Sequence, residues 1–246
     1  MHFRLRRVLS LARRLAVARS LATTIHVNTT CPAIALTFDD GPHPDITPEV
    51  LKILDRYDAR ATFFMVGELA AQHRHLVDKV AASGHAIANH SWDHTSFPTL
   101  NHWQRVNQIR ATARILAPYE VKIFRPPFGD QNGRSAIAAR LLGYQTIAWS
   151  GDAGDWLPHT AEEMLDRLMK QARAGSILLL HDGLVRLHGS EPPRTHMLTA
   201  LTAFLERMQD FQFVTLPQLF RLGTLRQQPW YQIKQSGGGP NFWRTW

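Results

Sequence analysis

Two adjacent carboxylates, Asp39 and Asp40, close the apolar run Ile34-Ala-Leu-Thr-Phe38 and are followed at once by Gly41-Pro42, a turn signal. Neighbouring residues on a strand face opposite ways, so only a chain break at this point lets both acids serve one site. Further along, His90 and His94 stand four apart, a spacing that on a helical turn puts both imidazoles on one face, able to grip one ion. Alone, either feature is commonplace: an Asp-rich turn is usually solvated, and most spaced histidine pairs are surface or core residues. An aspartate that completes a two-histidine, one-carboxylate set changes the reading. Such a set leaves metal positions open for water and substrate, and imidazole suits Zn, Co, Fe or Ni.

The elements that must position these residues follow from hydrophobic periodicity. Short apolar runs at 34–38, 61–66, 85–89, 121–124, 145–149, 175–180 and 213–216 read as strands. Between them, helical patterns are expected from Thr47 (as cap, with Pro48 at the first position), over 68–83, 100–117, 135–142, 160–172 and 196–208. About seven alternations of strand and helix predict either a parallel barrel or a doubly wound sheet. In a parallel barrel the carboxyl ends of all strands meet on one rim. Five of those ends carry chemistry: Asp39-Asp40, His90-Ser-Trp-Asp-His94, Arg125-Pro-Pro-Phe-Gly129, Asp152-Ala-Gly-Asp-Trp156 and His181-Asp182.

Taken in order, Thr37-Phe-Asp-Asp-Gly-Pro42, His90-Ser-x-x-His94, Arg125-Pro-Pro-Phe-Gly129, Asp152-x-x-Asp-Trp156 and Leu179-Leu-His181 resemble the five motifs of the polysaccharide deacetylases, the NodB-homology domain of carbohydrate esterase family four. The resemblance implies a single-domain, distorted (β/α) barrel of about seven parallel strands. It also implies a divalent metal (Zn first, with Co, Ni, Mn or Fe as others) and removal of N-acetyl groups from a GlcNAc-type glycan. By position it makes Asp39 the base, Asp40, His90 and His94 the metal ligands, and His181 the acid. Arg125 would hold Asp39, and Asp155, or less directly Asp152, would tune His181. Pro127, Phe128, Trp156 and Leu179 would meet the substrate, with the backbone near Phe128 facing the oxyanion. Phe128 stands where many relatives carry Tyr. Two other readings stay open: a non-catalytic carbohydrate-binding relative, and a deacylase of a non-glycan amide.

Charge bounds the partners. Of the net +8 of this 246-residue chain, six positive charges belong to Arg4, Arg6, Arg7, Arg13, Arg14 and Arg19, leaving about +2 for residues 31–246. That distribution argues against nucleic acid as a partner. Leu5, Val8, Leu9, Ala12, Leu15 and Ala16 fall on one helical face of the arm, which leaves three readings of residues 1–22 open: contact with an anionic membrane surface, a helix packed on the domain, or a disordered leader. The arginines interrupt every apolar run that a signal peptide needs, and no run is long enough to span a bilayer. A cytoplasmic protein is therefore expected, with membrane association through the arm as one reading of it. Cys31 is the only cysteine, which excludes an intrachain disulfide. The expected organisation is a basic arm over 1–30, a deacetylase domain over 31–220 and a basic, aromatic tail over 221–246.

Overall fold

The computed structural model of the protein describes residues 22–185 and 192–229. Its centre is a curved sheet of parallel strands: β2 (Ala33–Asp39), β3 (Ala61–Met65), β4 (Ala86–Asn89), β5 (Glu120–Phe124), β6 (Gln145–Thr146), β7 (Gly151–Asp152) and β8 (Ile177–His181). They lie in the order β6-β5-β4-β3-β2-β8-β7, and the short β9 (Gln212–Phe213) runs parallel beside the start of β2. Helices cross between them: α1 (Ile46–Arg56), α2 (Gly67–Gln72), α3 (Arg74–Ala82), α4 (His102–Leu116), α5 (Gly133–Leu141), α6 (Ala161–Gln171), α7 (Arg194–Arg207) and α8 (Leu216–Phe220). The expected distorted barrel of about seven parallel strands is the fold observed.

The pleat of the strands explains which side chains reach the site. On β2, Ile34, Leu36 and Phe38 point into the core shared with the helices, together with Phe63 of β3, Leu180 of β8 and Phe204 of α7. The opposite face of β2 carries the small residues Ala33 and Ala35, then Thr37 and Asp39. On β8 the same face carries Ile177, Leu179 and His181. Register pairs Thr37 with Leu179 and Asp39 with His181. The concave face is thus apolar at its lower end (Ala33, Ala35, Ile177, Leu179, Ile147) and polar at the carboxyl ends.

Several local expectations are corrected. The continuous helix over 68–83 is broken at His73, whose φ/ψ of −122°/45° separates α2 from α3. The strand expected at 145–149 is ladder-paired only at Gln145–Thr146; beyond it the Ala148 amide bonds Thr24 and the Ser150 amide bonds Ile177. The strand expected at 213–216 ends early, because the Thr215 side chain accepts from the Gln218 amide and starts α8. Thr47 caps nothing: it lies inside α1, which begins at Ile46. Residues 23–28, read as part of the arm, form β1 (Thr23–Asn28). It pairs antiparallel with β10 (Thr224–Gln228), read as part of the tail. Ile25 and Val27 of β1 are buried against the concave face. No described helix is long and apolar enough to cross a membrane. The expected arm helix lies outside the described residues.

Candidate active site

At the carboxyl end of β2 the chain leaves the sheet abruptly. Asp40 has φ of 69°, in the left-handed region, and this turn brings both carboxylates to one side. Gly41 then passes so close to Asp182 that a Cβ there would lie 2.3 Å from the Asp182 Oδ2 atom. Gly183 comes equally near, its Cβ position 2.5 Å from the Asp40 carbonyl oxygen. These close approaches require glycine.

Asp39 is held by Arg125, which follows β5. Arg125 Nη1 is 2.6 Å from Asp39 Oδ1 and also donates to Thr37 Oγ1 at 2.9 Å, while Nη2 donates to the Ala148 carbonyl at 3.0 Å. The guanidinium is fully buried and lies over the Phe64 ring at 4.1 Å. Its backbone serves a second ligand: His90 Nδ1 donates to the Arg125 carbonyl at 2.8 Å. That bond fixes the tautomer and leaves the His90 Nε2 lone pair free to face the carboxylates.

Asp40 meets both imidazoles. Its Oδ1 is 2.9 Å from His94 Nε2 and 3.3 Å from His90 Nε2, while Oδ2 accepts from the Val185 amide at 3.0 Å. His90 Nε2 is also 3.7 Å from Asp39 Oδ2. The Asp40–His90–His94 ligand atoms lie within 4.8 Å of one another, and all three residues are buried. His90 and His94 do not sit on a helical turn as expected. They flank a loop in which Ser91 and His94 have φ of 69° and 58°, and those two left-handed residues turn both rings inward.

Electrostatics suit a cation. Burial raises the Asp40 carboxyl, but His94, His90 and His181 outweigh it and hold the group well below the usual carboxylate range. Burial lowers His94 despite Asp40 beside it, which keeps that imidazole neutral, the form that ligates. Apart from the close approach of these two imidazole nitrogens, Asp40 Oδ1 meets no well-directed hydrogen-bond donor among the described residues. A buried, ionised acceptor with two imidazole nitrogens converging on it is the donor set of a divalent metal, so the residues fit the ion that the motifs imply.

On the next strand His181 Nδ1 donates to Asp155 Oδ1 at 2.9 Å, and its backbone amide donates to Oδ2 at 2.9 Å. Burial lowers the His181 imidazole, but Asp155 more than compensates and pushes it up to about 9. Asp155 in turn is held low against burial by His181 and Arg194. Asp152 takes no part in this pairing; its Oδ1 meets Arg167 Nη2 at 2.5 Å. The Trp156 ring stands edge-on to His181 at 5.3 Å, and Phe128, with φ of 59°, stands edge-on to His94 at 4.4 Å. Pro127 and Leu179 are buried, Leu179 within the lower concave cluster. Sequence reading missed Thr37 as a support for Arg125, although its position two before Asp39 puts it on the same strand face. It also missed Arg194, which carries no local signal.

Residues 26–147 match the polysaccharide deacetylase family. A peptidoglycan-N-acetylglucosamine deacetylase of Bacillus cereus is 37% identical over 194 residues, covering 76% of this chain and 88% of the relative. A chitooligosaccharide deacetylase of Azorhizobium caulinodans is 35% identical over 155 residues, 61% of this chain and 74% of the relative. Among solved structures, a peptidoglycan N-acetylglucosamine deacetylase bound to an N-oxidanyl-benzamide superposes with a TM-score of 0.73 at 29% identity, covering 82% of this chain and 94% of that one. Identity of this level over most of both chains, on the same fold, makes this chain a member of the polysaccharide deacetylase family and a carbohydrate deacetylase.

Proposed function

We propose that the chain hydrolyses the N-acetyl group of a GlcNAc-containing glycan, releasing acetate and leaving a free amine on the sugar. The observation that carries this reading is the meeting of a buried Asp40–His90–His94 cluster with two proton-transfer groups, Asp39 and His181, on neighbouring strands. Asp40, His90 and His94 would hold the metal, which we take to be zinc. When bound, it would supply Lewis acidity, activating water near neutral pH and stabilising developing negative charge on the acetyl oxygen.

Asp39 takes a proton from the attacking water as the water oxygen bonds to the acetyl carbon. Arg125 fixes the carboxylate for that transfer, leaving Oδ2 on the His90 side. His181 gives its proton to the amine nitrogen as the carbon–nitrogen bond breaks, which turns a poor leaving group into a good one. Asp155 keeps the ring in the tautomer that presents Nε2 to substrate. Trp156, beside His181, forms the wall against the acetyl methyl, with Leu179 beneath; Pro127 and Phe128 bound the opposite side, where the backbone at Phe128 meets the oxyanion.

The relatives named for peptidoglycan and for chitooligosaccharide make both glycans candidate substrates. Acetate release from N-acetylglucosamine oligomers and from peptidoglycan fragments tests the reading and ranks the two. No release from either, by protein that binds metal, would favour a non-glycan amide. A merely carbohydrate-binding relative is disfavoured because base, acid and all three ligand residues are present. The proposed contact of residues 1–22 with anionic membrane is tested by vesicle sedimentation with and without residues 1–30. The cytoplasmic expectation rests on the arginines of that arm alone, and cell fractionation tests it.

A further inference from the structure

Arg194, the first residue of α7, reaches the acid side of the site from the far end of the chain. Its Nη2 lies 3.2 Å from Asp155 Oδ2 and its Nη1 donates to the Asp155 carbonyl at 3.2 Å. Nη2 also donates to the His181 carbonyl. The guanidinium therefore ties together the side chain and backbone of Asp155 and the backbone of His181. Its side chain is only 10% exposed, and Asp155 is fully buried.

One buried carboxylate thus faces two cationic groups on different elements, His181 through Oδ1 and Arg194 through Oδ2. Their roles differ because only one of them gives up a proton. When His181 has protonated the departing amine, its ring is neutral and no longer balances Asp155. An unbalanced carboxylate at that depth is strongly disfavoured, which would oppose the transfer. Arginine stays charged throughout and presents a fork that bonds several acceptors at once.

We propose that Arg194 is a positioning residue for proton delivery. It fixes Asp155 and the His181 backbone so that the imidazole is aimed at the leaving nitrogen, and it balances Asp155 once His181 has released its proton. This inference rests on the assignment of His181 as the acid, and its test keeps the two separable.

Arg194→Ala and Arg194→Lys would be compared with the full-length protein loaded with zinc. In the alanine variant kcat should fall about 10- to 100-fold, the range for removing a group that orients a reacting side chain, with KM and zinc content near wild type. Guanidinium ion at millimolar concentration should restore part of the lost rate, and lysine, able to bond fewer acceptors, should give an intermediate rate. A fold defect would not be rescued in this way. Wild-type kcat in the alanine variant, or a loss that neither guanidinium nor lysine relieves, would overturn the proposal. A readout independent of turnover is the His181 ring N–H resonance in ¹⁵N-histidine-labelled protein. It should be sharp in the wild type and Arg194→Lys but broadened by solvent exchange in Arg194→Ala. If wild type released no acetate from the glycans, the proposed substrate would fall, and this resonance alone would decide whether Arg194 orders the ring; an unchanged signal in Arg194→Ala would refute it.

Discussion

Asp182, directly after the proposed acid, offers a sharp thermodynamic test of the site's packing. It is fully buried; Oδ2 accepts from Thr47 Oγ1 at 2.5 Å, and Oδ1 has no hydrogen-bond partner among the described residues. Burial pushes its carboxyl up to about 7, against the pull of Thr47, its own backbone amide and Arg194, and with a push from Asp40. The unfolded chain titrates this group near 3.9. Between those values the folded state holds a proton that the unfolded state lacks. The associated stability is fully present below about 4 and is lost as pH rises to about 7. A gap of about three units corresponds to about 4 kcal/mol in total, of which about 3 kcal/mol falls between about pH 5 and about pH 8.

Asp182→Asn removes the titration but keeps an oxygen for the Thr47 hydroxyl. Its amide N–H groups would meet the spot where Oδ1 now has no partner, at a cost of about 1–3 kcal/mol at every pH. The variant should therefore be less stable than wild type at about pH 5 and equal or more stable at about pH 8. The difference between the two should move by about 3 kcal/mol, which for a chain of this size is about 6–12 °C in Tm. Thermal melts of metal-free protein across that range provide the assay. Parallel curves for the two proteins would refute the reasoning, because they would mean that Asp182 does not hold its proton in the folded state.

Other consequences follow from neighbouring residues. His181 is raised by Asp155 to about 9, above its ordinary 6.5, so the imidazole is protonated through neutrality and loses its proton as pH rises through about 9. The alkaline limb of kcat/KM should track that loss, and Asp155→Asn should move it to lower pH; a limb that stays in place would detach it from His181. Arg125→Met breaks a buried ion pair and leaves Thr37 and the Ala148 carbonyl without their donor. Stability measured in urea should fall by about 3–5 kcal/mol, and a loss under about 1 kcal/mol would contradict the burial argument. Gly183→Ala sets a methyl 2.5 Å from the Asp40 carbonyl oxygen, and neither backbone can yield cheaply. Zinc affinity by calorimetry should drop about 10- to 100-fold, whereas unchanged affinity would mean that the loop shifts without moving Asp40.

How much of this was legible beforehand depends on how local each cause is. Asp39, Asp40, His90, Arg125 and His181 were readable because each follows an apolar run, and parallel strands bring those ends to one rim. Once the strands are placed side by side, the alternation of β2 and β8 accounts for which residues share the concave face. The loop from His90 to His94 was misread because its shape depends on two left-handed residues that no spacing announces. Thr47 looked like a helix cap but answers to Asp182, 135 positions away. Asp152 resembled a partner for His181 until Arg167 of α6 came within reach. β10, Thr-Leu-Arg-Gln-Gln, has no apolar pattern and is a strand only because β1 offers an edge. Arg194 belongs with these: its role comes from where α7 docks.

The most direct test of the central claim is acetate release from N-acetylglucosamine oligomers by chelated protein, before and after zinc is restored, for wild type and Asp39→Asn. The account predicts no release without metal, release with zinc in the wild type, and loss of release in Asp39→Asn while calorimetry still finds one bound zinc. Release that is indifferent to the chelator, or an Asp39→Asn protein that turns over as fast as wild type, would contradict it.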